Sequence, residues 1–209
     1  MLYYKLYIKV IIIMENEEKV MTGEESLKII TDMINKTKTN VRQSSFHLIF
    51  WGWLIFFCSL SEYLLIRLTD FASPWYIWYL VIPGVLVSLV YGFINGKKEQ
   101  VRTYADMIYM WTWIGFLLVA TVLMLILNLE KRFELISPFI LLAAGFPTFV
   151  SGFIIKFKPL IFGGISLWII ALIAYFAGEN FASLAVSAGM ITGYLIPGYL
   201  IRRKSHDSV

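Results

Sequence analysis

Phe46 to Leu68 reads FHLIFWGWLIFFCSLSEYLLIRL. Apart from His47, Glu62 and Arg67 the run has no basic or acidic side chain, and it is long enough for the roughly 20 apolar residues that a helix needs to cross the hydrocarbon core of a bilayer. Its apolar residues follow one another instead of recurring at amphipathic spacing, so no side of such a helix is kept for water. Five more runs of this kind follow: Pro74 to Ile94, Met107 to Leu129, Ser137 to Ile155, Leu160 to Ala177 and Phe181 to Ile201. The expected fold is an all-α membrane protein, a bundle of six transmembrane helices between residues 46 and 201.

Composition agrees with that reading. Of 209 residues, 59% are hydrophobic and only 15% charged, against about a quarter charged in soluble domains. Six spans leave no length for a second large domain. The net charge of +4 would suit nucleic acid, but the basic residues stand at the ends of apolar runs, where membrane topology needs them. Nucleic-acid binding is therefore not expected. The single cysteine, Cys58, excludes an internal disulfide and a cysteine-based zinc site, and no cofactor is implied.

The basic residues also give a direction. Lys28, Lys36, Lys38 and Arg42 precede the first run, Lys97, Lys98 and Arg102 follow the second, Lys156 and Lys158 follow the fourth, and Arg202, Arg203 and Lys204 lead into the tail at 202–209. The other side has Arg67, Lys131 and Arg132. Twelve against three is expected to place both termini of a multi-pass protein on the cytoplasmic side. The outward connectors are only a few residues long, so function is expected within the bilayer or on the cytoplasmic face.

Upstream of the spans, Met1 to Met14 reads MLYYKLYIKVIIIM. It begins like a signal peptide, but no small-residue cleavage site follows. Residues 1–21 read either as an upstream extension of the reading frame, with Met14 or Met21 the natural start, or as an interfacial anchor. From Thr22 the pattern changes. Thr22 and Glu25 form a capping box, and Leu27, Ile30, Ile34, Thr37 and Val41 follow helical spacing, with Ile29 and Met33 widening the stripe. Residues 22–43 are expected to form a cytoplasmic amphipathic helix, whose stripe Leu27, Ile30, Ile34 and Val41 would lie on lipid, pack under the bundle or meet a partner.

Within the bundle, Trp51, Trp53, Trp111 and Trp113, with Trp75, Tyr76, Trp78 and Tyr79, read as interfacial belts, the alternative being an aromatic ligand cage. Pro83, Pro147 and Pro197 lie inside even-numbered spans and are expected to kink them. Those spans also end alike, in Gly92-Phe93-Ile94, Gly152-Phe153-Ile154 and Gly198-Tyr199-Leu200, which suits either three repeated hairpins or convergent interfacial anchoring. Ala182, Ala185, Gly189 and Gly193 run down one face of the sixth span. Small residues let helix backbones approach closely, in an internal seam or a homodimer.

Glu62 is the acidic residue well inside a span. A charge in hydrocarbon costs several kcal/mol, roughly, and must be paired, hydrated or protonated. It is either a proton or cation site, or a carboxylate that reaches the interface or accepts a hydrogen bond from a serine or tyrosine of another span. No catalytic set accompanies it. Ser151-Gly152 resembles part of a membrane serine protease motif without the histidine base, and Glu24-Glu25 is half of a metalloprotease motif without its arginine.

The run EESLKIITDMINKTKTNVRQSSFHLIFWGW from Glu24 to Trp53, then Val101-Arg102-Thr103-Tyr104, Gly145-Phe146-Pro147-Thr148-Phe149 with Ser151-Gly152, and Ile196-Pro197-Gly198-Tyr199-Leu200, resembles a family of small uncharacterised six-helix membrane proteins from the Bacteroidota. The resemblance covers the chain from Glu15 onward. It implies fold and location but no activity, so no functional residue is carried over. The expected function is a non-enzymatic membrane module that engages a cytoplasmic protein, membrane lipid or a second copy of itself. The alternative is a small proton- or cation-coupled transporter or channel using Glu62 and the proline-bearing spans.

Overall fold

A computed structural model of the chain describes residues 23–69, 72–96 and 104–207, for some helix ends as backbone only. All its regular structure is helical, and six helices are long and apolar enough to cross a membrane. The spans are Ser45–Leu68, Pro74–Ile94, Tyr104–Leu129, Phe133–Ile154, Lys158–Ala177 and Phe181–Arg203, numbered 1 to 6 below. Each matches an expected run to within a few residues. The chain is a multi-pass helical membrane protein.

The first helix is Gly23–Leu68, which takes in both the residues expected as the amphipathic helix and span 1. Thr22 of the capping box and the side chains of Ile30, Ile34 and Val41 lie outside the described residues, as do residues 1–21. Leu27 is exposed.

The core gathers around span 6. Its most apolar window is 56% buried, against 33% for spans 4 and 5 and 6% for spans 2 and 3, so span 6 is the central helix and spans 2 and 3 are peripheral. The buried cluster takes Leu141 and Ala144 from span 4, Leu160, Leu167, Ala171 and Ala174 from span 5, and Val186, Met190 and Tyr194 from span 6, with Leu48 of span 1. Most large apolar side chains elsewhere face outward, as lipid contact requires.

Spans 4, 5 and 6 approach closely because glycines stand where they cross. A Cβ on Gly164 would come within 2.6 Å of the Phe149 backbone nitrogen, and one on Gly152 within 2.7 Å of that of Ile161. A Cβ on Gly163 would come within 3.0 Å of the Gly193 carbonyl oxygen. The small face of span 6 points inward: Gly189 lies against Leu141 and Leu167, Gly193 against Leu167, Ala182 is buried, and Ala185 packs on the core.

The three interior prolines sit in three different backbones. Pro83 lies in the first turn of the α-helix Val81–Gly96, directly after a 3-10 helix at Pro74–Leu80, and near a helix start its missing N–H costs little. Pro147 lies inside the α-helix Ile136–Ile154. Pro197 follows a π-helical turn, Ile191–Leu195.

Two connections end in left-handed residues. Lys131 and Lys156 both have φ 55°, and each closes a helix: the Arg132 N–H donates to the Leu127 carbonyl and the Phe157 N–H to the Gly152 carbonyl, both at 2.8 Å. This is the Schellman cap, with lysine where glycine is usual.

Candidate functional site

Glu62 faces span 6. The Ser183 hydroxyl donates to its Oε2 at 2.7 Å, a hydrogen bond from a neighbouring span's serine of the kind the sequence left open for this carboxylate. One turn deeper, Ser59 and Ser187 share a hydrogen bond of 2.7 Å, and both are buried. Ser187 also donates to the Ser183 carbonyl at 3.2 Å. Further along, Gly52 meets Tyr194 and Leu195, and Gly198 meets Leu48 and Ile49. Paired residues ascend on span 1 as they descend on span 6, which defines an antiparallel seam that is polar at the Glu62 end and glycine-tight at the other. Cys58, on the neighbouring face, is buried with Sγ 3.7 Å from the Ile77 carbonyl of span 2.

A second polar group joins spans 1 and 2. The Trp51 indole N–H donates to Ser88 Oγ at 2.9 Å, and His47 Nδ1 lies 3.2 Å from the same oxygen. Because Ser88 accepts from Trp51, its own proton is available to a neutral His47. Phe46 stacks on Tyr91 beside them, with ring centroids 3.8 Å apart.

The third group lies between spans 3, 4 and 6. Thr148 is buried next to Pro147 and donates to the Ala144 carbonyl at 2.8 Å; its Oγ1 is 3.5 Å from the hydroxyl of Tyr194, which sits in the π-helical turn. Trp113 meets the Tyr194 ring edge-on, centroids 6.4 Å apart. The Trp113 indole nitrogen and the Ser151 hydroxyl are buried without a hydrogen-bond partner among the described residues.

The tryptophans expected as belts therefore divide. Trp75 and Trp111 are exposed, and Trp53 donates to the Tyr199 hydroxyl at 3.0 Å. Trp51 and Trp113 turn inward to Ser88 and Tyr194, a difference that the positions of tryptophans along a run do not reveal.

Among the described residues, no three His, Cys, Asp or Glu side chains stand close enough to hold a metal ion. No protein-family model, no curated protein and no solved structure matches the chain.

Proposed function

We propose that this chain is a membrane-embedded interaction or regulatory module without enzymatic activity, set in a bacterial inner membrane with both termini in the cytoplasm. The observation that carries this reading is the seam between spans 1 and 6, where the intramembrane carboxylate is engaged by Ser183 and the adjoining serines satisfy each other. Hydrogen-bonded in this way, Glu62 serves to hold two helices in register, a use well suited to a polar group in an apolar bundle. Tight glycine crossings among spans 4 to 6 support a fixed scaffold. Spans 2 and 3, barely buried within the chain, leave broad apolar faces for lipid or for another membrane helix.

Orientation rests on the twelve-to-three distribution of basic residues, and the inner-membrane location on the resemblance to the Bacteroidota proteins. The working surface would be the stripe Leu27, Ile30, Ile34 and Val41 with the basic connectors, its partner a cytoplasmic protein or a second copy. No nucleic acid and no cofactor enter the scheme.

The proton- or cation-coupled transporter is the second reading. It is favoured by the carboxylate at Glu62 and by the π-helical turn beside Pro197, since such turns are frequent at functional sites. Purified protein in liposomes under a pH gradient separates the two. The module gives no proton or cation flux in the native chain or in Glu62→Gln, whereas flux that Glu62→Gln abolishes would establish the transporter.

A further inference from the structure

Span 6 uses one residue more than span 1 over the same stretch of their seam. On span 1, the step from Ser59, bonded to Ser187, down to Gly52 is seven residues. On span 6, the step from Ser187 to Leu195, the residue that a Cβ on Gly52 would meet first, at 2.8 Å, is eight. Three residues further along both helices, a Cβ on Gly198 would come within 2.9 Å of Ile49, so the offset then stays constant. The interval where it opens contains the π-helical turn Ile191–Leu195. A π turn bonds over five residues instead of four, so it is wider and shorter per residue than an α-helix. It takes up the surplus residue and lets the serine pair and the glycine contacts meet span 1 at matching heights.

The turn has an ordinary alternative. Widening the helix by one residue deprives a carbonyl of its amide, and here a side chain stands in: Thr192 Oγ1 lies 3.3 Å from the Ala188 carbonyl and 3.4 Å from that of Gly189. Pro197 has no N–H to give in either form. Straightening to α-helix would restore regular backbone pairing at the turn. It would also rotate everything beyond the turn by about 100°, one residue's share of a helix with 3.6 residues per turn. Against this stand the contacts of the π form, with Gly193 pressed on Leu167 and Tyr194 beside Thr148, which make it the major state.

We propose that the π turn of span 6 is a conformational device: a stored residue which, when the turn straightens, swings the C-terminal half of the span, Ile196–Asp207, against its N-terminal half, Glu179–Met190. The N-terminal half stays on span 1 through Ser183 and Ser187. Tyr199, Arg202 and Arg203, all exposed, turn with the other half. Turns of this kind are frequent at functional sites, and here the moving part carries the basic end of the chain.

The test uses two indoles of span 1. Trp53 donates to the Tyr199 hydroxyl at 3.0 Å and so reports on the C-terminal half of span 6, whereas Trp51, bonded to Ser88 of span 2, serves as the reference. Full-length protein labelled with 15N at tryptophan is placed in phospholipid nanodiscs, and each signal is identified by its loss in Trp53→Phe or Trp51→Phe. In the native chain the Trp53 indole is expected to exchange with a minor state, seen as a second signal or as microsecond-to-millisecond broadening, at the position that Tyr199→Phe gives. Deletion of Ile191, an exposed residue at the start of the turn, removes the surplus and is expected to abolish the exchange while leaving Trp51 in place. A native Trp53 free of exchange overturns the proposal. So does exchange that persists after the deletion, which would belong to the Trp53 side chain itself, and so does a deletion that displaces Trp51, because the residue is then not surplus.

Discussion

Ser183 Oγ donates to Glu62 Oε2 at 2.7 Å across the interface between spans 1 and 6. Hydrogen bonds to a carboxylate are stronger than neutral ones, but in membranes the unfolded reference state also finds partners, so the net contribution is about 1–2 kcal/mol. Ser183→Ala should lower the detergent melting temperature accordingly. Glu62→Gln keeps an acceptor for Ser183 and should cost less. The double variant should cost less than the two single losses combined, because Ser183→Ala already removes the bond that Glu62→Gln only weakens.

Glycines of similar appearance in the sequence should respond oppositely to alanine. At Gly164 the new methyl would press on the backbone of Phe149 in span 4, and overpacking of this kind costs about 1–3 kcal/mol or more. Gly92 has no heavy atom within 4 Å of the Cβ position. Gly92→Ala should therefore be neutral or stabilising by up to about 1 kcal/mol through helix propensity. Melting of the two purified variants in one detergent checks both.

Lysine in the left-handed region costs about 1–2 kcal/mol relative to glycine, which has no Cβ to clash. Lys131→Gly and Lys156→Gly should each raise stability by about 1 kcal/mol, since both Schellman hydrogen bonds are made by the backbone. At Lys156 the gain comes with the loss of one orienting charge, so the same variant read by protease accessibility reports how far the topology depends on it.

The six spans were legible because a bilayer imposes one simple demand, a helix-length apolar run, and each run met it within a few residues at either end. Which faces meet was not legible, because hydropathy is nearly the same all round each span. Glu62 stood out as an intramembrane carboxylate, but Ser183 lies far off in sequence and is one of two serines in span 6. Prolines marked irregular backbone without specifying its form, so the 3-10 start of span 2 and the π-helical turn of span 6 emerge only in the folded chain. Trp113 and Ser151 read as an anchor and half of an incomplete motif. Their shared property is burial without a partner among the described residues, and that belongs to the packing.

The most direct test of an interaction module is to place a photocrosslinking amino acid along residues 27–41 of the full chain in native membranes. The account predicts adducts at Ile30 and Ile34, to one recurring protein or a second copy of the chain, and none at Lys28 or Asp32 on the opposite face of the helical pattern. Adducts spread equally over both faces, or none at any of the four positions, would contradict it.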